Sequence, residues 1–204
     1  MILLWSVAAS LVIALLRGGK LVNLGTLRFR VGWLAFVALL LQVLVVYLPF
    51  GNTGTEWSTQ SLLLVGSYAL LIGVVVANRE LPGLWILGVG LALNLAVMIA
   101  NGGFMPVAEE TLRRAGLLHL ATSTESGARL LSSKDILLPR EETRLWFLGD
   151  VFSLPAPLST AYSIGDILLA IGAFILFQRG TMPRQAGCAL GKTAEDSDSS
   201  EQIM

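Results

Sequence analysis

LGDVFSLPAPLSTAYSIGDILLAIGAFILF, residues Leu148–Phe177, sets one acid beside a proline-broken segment and a second just inside a long apolar run. The acids are Asp150 and Asp166, and the breaks are Pro155 and Pro157. An ionisable residue within a membrane-length apolar run is costly and marks a functional site by default. The run, from about Thr160 to Phe177, reads as a helix closed by Gln178 and Arg179.

The rest of the chain gives that run its solvent. Hydrophobic residues make up 54% and charged residues 14%, against roughly a quarter charged in a soluble domain. Such a chain cannot clothe itself in polar surface, so an all-α integral membrane protein is expected. The 204 residues suit one membrane domain. Fourteen basic and fourteen acidic side chains cancel. No basic stripe is interleaved with aromatics, so no nucleic-acid partner is expected. The single Cys188 and single His119 allow neither a disulfide nor a Cys- or His-based metal set. No cofactor is implied.

Four more apolar runs precede this one. Ile2–Leu16 carries its positive charges after it, at Arg17 and Lys20, which argues for a retained helix rather than a signal peptide. Val31–Phe50, Ser61–Asn78 and Leu84–Asn101 follow. The first connection, Arg17–Arg30, holds four basic and no acidic residues, which places it in the cytoplasm. Leu21, Leu24 and Leu27 within it have the spacing of a short interfacial helix. Gly51–Gln60 has no Lys or Arg and reads as external, with Trp57 at the interface. The expectation is a five-helix domain over residues 1–180, N-terminus outside, in the cytoplasmic (inner) membrane. Residues 181–204 read as a disordered cytoplasmic tail.

The external loop, about residues 102–159, should be partly helical. Pro106 suits a helix start, and Glu109/Arg113 and Glu110/Arg114 pair at i, i+4 within Val107–Leu120. Ala121–Lys134, rich in Ser, Thr and Gly, reads as a mobile excursion. Trp146 and Phe147 look like interfacial anchors.

This topology brings Asn101, Asp150 and Asp166 to one layer at the outer face. Gly102 and Gly103 beside Asn101 allow close backbone approach. Gly88, Ala92 and Ala96 offer one small helix face; Asp166, Ala170 and Ala173 offer another. Asn94 and Gln42, near mid-span, are interhelical hydrogen-bonding groups or substrate contacts. Two acids held together could share a proton, one activating water and the other protonating a leaving group. The structural alternative is that Asp166 caps backbone N–H groups or bonds Ser163 or a nearby Asn.

NGGFMP (Asn101–Pro106), LGD (Leu148–Asp150) and SIGD (Ser163–Asp166), with the early GGKLVNLGTLRFR, resemble a family of bacterial multi-pass membrane proteins known only as a domain of unknown function. The resemblance covers about residues 1–180 and implies about five spans and no assigned activity. A fainter resemblance is to lipoprotein signal peptidases. Tyr162-Ser163-Ile164-Gly165-Asp166 is similar to the Phe-Asn-x-Ala-Asp that opens their last helix. It implies a catalytic role for Asp166, but the Asn-x-x-Asp-Arg motif that holds their second acid is absent, leaving that role to Asp150.

The favoured reading is a non-catalytic membrane protein, bound to membrane lipids and to a possible membrane-protein partner, with a polar cluster of Asn94, Asn101, Gly102, Gly103 and Ser163. The alternative is a membrane-embedded aspartic hydrolase using Asp150 and Asp166. A further alternative is a small transporter with Gln42, Asn94 and Asp166 along a polar path.

Overall fold

Each of the five apolar runs closes into a helix, in a computed structural model that describes residues 2–25, 27, 29–47, 57–123 and 125–182. In chain order the helices are α1 (Ile2–Leu16), α2 (Leu21–Leu24), α3 (Trp33–Tyr47), α4 (Thr59–Ala77), α5 (Leu84–Ala100), α6 (Glu109–Ala115) and α7 (Ile164–Thr181). α4 and α7 are long and apolar enough to cross a membrane by length and composition, and α3 and α5 are apolar but shorter. Cys188 and the expected tail from residue 183 onward lie outside the described residues.

Short polar signals set the helix ends. Ser58 and Ser61 form a reciprocal cap at the start of α4, satisfying N–H groups that have no partner within the helix. Ser163 and Asp166 do the same for α7. That cap fixes the start of α7 at Ile164 rather than near Thr160, and the helix runs on to Thr181.

The long helices pack in a row, α1–α7–α5–α4–α3. α1 runs parallel to α7: Ser10 Oγ donates to Phe174 O (3.3 Å), while Lys20 N reaches Thr181 O (2.9 Å). The other neighbours are antiparallel. Between α3 and α4, Gln42 Nε2 donates to Ser67 Oγ at 3.2 Å. The closest seam is between α5 and α7. A methyl group at Gly90 would come within 2.6 Å of Gly165 O, and one at Gly172 within 2.6 Å of Leu87 N. Gly83 and Gly90, like Gly165 and Gly172, are spaced two helical turns apart and so share a face. The small face expected at Gly88, Ala92 and Ala96 is not this seam: Gly88 meets Val75 of α4, and Ala92 and Ala96 are exposed. On α7, Ala173 is buried and Ala170 and Asp166 are half-buried.

The segment between α5 and α7 forms a cap over one end of the row, and here the all-α expectation needs correction. β1 (Met105–Val107) pairs in parallel with β2 (Asp135–Leu137), Met105 opposite Asp135 and Val107 opposite Leu137. β3 (Phe152–Leu154) pairs antiparallel with β4 (Thr160–Tyr162). Ala121–Lys134 is not a free excursion: Ala121 bridges Leu130, Arg129 bridges Ile136, and Ala128 and Leu130 are buried. Val107, Leu112, Ala128, Leu130 and Leu137 form a small core within the cap. Phe104, Met105, Ile136 and Leu138 join the core of the helix row below. Of the amphipathic helix expected over Val107–Leu120, Glu109–Ala115 forms as α6, followed by a 3-10 turn at Leu118–Leu120, while Pro106, expected to open it, lies with Val107 in β1. At the opposite end of the row lie Arg17, Lys20, Arg30, Arg79 and Arg179, with Glu80 as the acid among the described residues.

Candidate functional site

The polar residues singled out from the sequence meet where the cap sits on the helices, in three separate constellations. The first joins α5 to α7. Asn94 is fully buried. Its Nδ2 donates to Asp166 Oδ1 (2.9 Å), and its Oδ1 accepts from Ser163 Oγ (2.9 Å). Asp166 Oδ2 accepts from Ser163 N (3.2 Å), and Asp166 N donates to Ser163 Oγ (3.1 Å). One carboxylate oxygen therefore bonds α5 and the other the start of α7. Gly165 lies against Asn94 so closely that a side chain there would displace the amide.

The second constellation is a clamp. Asn101 ends α5 and donates from Nδ2 to Val97 O (2.7 Å) and Arg144 O (2.8 Å). Its Oδ1 accepts from Arg144 N (2.9 Å). One amide thus satisfies an orphan helix carbonyl and grips the backbone of the cap. Gly102 and Gly103 follow at φ 79° and 91°, the left-handed region that favours glycine, and Gly103 packs on Ser61 of α4. Asn78 repeats the device at the other end: it ends α4, donates to Val74 O (2.7 Å) and Arg30 O (2.8 Å), and accepts from Arg30 N (2.6 Å).

The third constellation is charged and sits inside the cap. Lys134, half-buried, donates from Nζ to Tyr68 Oη of α4 at 3.2 Å. Burial by itself would lower the pKa of its ammonium. The pull of Tyr68 and of Asp166, Asp150 and Asp135 outweighs this and holds it well above the ordinary lysine value. Asp135 accepts from Ser133 Oγ (2.6 Å) through Oδ2, while its buried Oδ1 has no partner. Arg129 donates to Gln60 Oε1 (2.8 Å) and Ser133 O (3.2 Å), its guanidinium 4.6 Å from the centre of the Phe104 ring.

Asp150 feels the charges of Asp135 and Lys134 in this group, and that of Asp166 as well. Its backbone N donates to Pro106 O (3.1 Å), which pins it beside β1. It is 3% exposed, and its Oδ1 has no hydrogen-bond partner among the described residues. Burial pushes its carboxyl well above the usual carboxylate range, and the like charge of Asp135 adds to the rise. Asp135 is raised by burial too, with Lys134 opposing. Asp150 also lines a cleft of about 260 Å³ with Thr111, Arg114, Arg140, Thr143 and Trp146. The Arg140 guanidinium is stacked 3.3 Å from the Trp146 ring centre. Among the described residues, no group of three or more His, Cys, Asp or Glu side chains could hold a metal ion. Lys134 and Asp135 escaped the sequence reading because they sit in a polar Ser-rich stretch, where nothing signals burial.

Residues 26–178 match DUF5317, a family of unknown function. An uncharacterized protein of Thermotoga maritima is 33% identical over 135 residues, 64% of this chain and 70% of that protein. No solved structure matches. The match spans the NGGFMP, LGD and SIGD motifs and leaves the early GGKLVNLG outside it. By that match, and by the Thermotoga relative, the chain belongs to the DUF5317 family.

Proposed function

We propose that this is a multi-pass protein of the bacterial cytoplasmic membrane, with five spans, the N-terminus and cap outside, and the C-terminal end of α7 inside. Its acids are structural, and its cap binds a lipid or a partner protein at the outer face. The observation that carries the non-catalytic reading is the commitment of both Asp166 oxygens to Asn94 and Ser163. An aspartic hydrolase built on Asp150 and Asp166 needs two carboxylates facing a common space, and each Asp166 oxygen already accepts a hydrogen bond within the α5–α7 seam. The transporter reading loses its polar path in the same way, because Gln42 is bonded to Ser67.

Three features support the membrane reading. Large apolar side chains stand exposed along the helices, among them Trp5, Phe36, Leu40, Leu62, Val76 and Trp85, a surface that water does not tolerate in such quantity. Basic side chains gather at the end opposite the cap, as expected of a cytoplasmic face. Trp146 and Phe147 are exposed at the cap end, where aromatic rings favour the interface. At 15 residues each, α1 and α3 reach about 22 Å, and a bilayer thins around spans shorter than its core of about 30 Å.

The test is cysteine labelling in whole cells, on a Cys188→Ser background. Ser126→Cys in the cap should react with a membrane-impermeant maleimide. Arg79→Cys should react only after lysis. The reverse pattern, or labelling of both in intact cells, would overturn the proposed topology.

A further inference from the structure

At the basic end of the row, α1 and α7 leave a groove of about 270 Å³ lined by Arg17, Phe174, Ile175, Gln178, Arg179 and Met182. Its organising residue is Gln178, a buried amide near the end of an apolar helix. Gln178 Nε2 donates to Ser10 O at 2.8 Å, which fixes the amide across the two helices. Its Oε1 then accepts from Arg17 Nη1 at 3.1 Å. The guanidinium is thereby held in one place, and its other N–H donors have no partner among the described residues. Arg179 is exposed beside it, and among the described residues no acid lines the groove. One turn further into the helix, Phe174 and Ile175 turn the wall apolar, and Phe174 is 37% exposed. The groove is thus cationic at the level of the helix ends and apolar toward the middle of the row.

We propose that this groove seats an anionic phospholipid of the inner leaflet, its phosphate on Arg17 and Arg179 and an acyl chain along Phe174 and Ile175. The proposal rests on the membrane reading above. Arginine suits the role because its planar fork meets two phosphate oxygens at once. The apolar wall selects a lipid over a free phosphate ester, which has nothing to lay against it.

The experiment is native mass spectrometry of the full chain in nanodiscs containing phosphatidylcholine and phosphatidylglycerol in equal amounts. Each basic group near an anionic surface favours it by about five-fold, so two predict a retained-lipid preference for phosphatidylglycerol of roughly ten- to thirty-fold. Arg179→Gln, which alters an exposed side chain, should reduce the preference to about five-fold. Arg17→Gln with Arg179→Gln should bring it near parity. Arg30→Gln with Arg79→Gln, which removes the same charge from elsewhere on that end, should leave it unchanged. Equal loss in both double variants would overturn the seat in favour of diffuse surface charge. A wild-type protein without preference would overturn it outright. Thermal protection by glycerol phosphate in detergent equal to that by phosphatidylglycerol would replace the lipid by a soluble anion. Failure here with the cysteine pattern intact removes the seat and leaves the topology standing.

Discussion

At the scale of the residue, the two acids that dominate the sequence have opposite fates. Asp166 accepts a hydrogen bond at each oxygen. Asp166→Asn leaves one amide facing the Ser163 N–H it should accept from, and a buried group without its partner costs about 1–3 kcal/mol. We expect a lower melting temperature with the protein still folded; an unchanged one would show that the cap is dispensable. Asp150 is buried without a partner at Oδ1, and its raised pKa has a direct consequence. The folded state holds a proton that the unfolded chain releases above about pH 4. Its contribution to stability is therefore complete at acid pH and is lost as pH rises through the folded pKa, by up to about 1.4 kcal/mol per pH unit. Asp135 is shifted the same way, whereas Lys134, raised above its ordinary value, loses its contribution only in the alkaline range. Asp150→Asn keeps the neutral form, so its melting temperature should fall less with rising pH than that of the wild type. Equal slopes would assign the dependence to other groups. Both aspartates were legible because an acid stands out against apolar neighbours. Lys134 was not, since a lysine among serines looks solvated until Tyr68 is brought to it by the fold.

At the scale of the element, helices were legible and strands were not. Apolar runs of fifteen or more residues leave few alternatives to a helix. The three-residue strands of the cap are too short for an alternating pattern, and their partners lie far along the chain. The α5–α7 seam was not legible for a related reason: spacing identifies small faces but not which face meets which helix. The seam makes a clear prediction. Gly172→Ala places a methyl against Leu87 N and Gly83 O, backbone atoms that move only if the helices part. A loss of about 1–3 kcal/mol is expected from such overpacking. Gly66→Ala on α4 meets nothing within 4 Å and should be neutral or slightly stabilising, as alanine favours helix over glycine by up to about 1 kcal/mol. Thermal melts of both proteins in the same detergent check the contrast, and equal effects would deny the seam its role.

At the scale of the whole molecule, charge and apolar surface divide the protein into a capped end and a basic end. The same asparagine device, Asn101 at one and Asn78 at the other, holds the crossing segments in place. The row order has a consequence for how the protein is made. α7 fills the place between α1 and α5, so α1 leaves the ribosome with no neighbour to pack on. It waits, through the synthesis of three more long helices and the cap, for the helix that completes its surroundings. During that interval Ser10 and Arg17 have no Gln178 to bind. Assembly is thus a late event, decided when the last long helix is made.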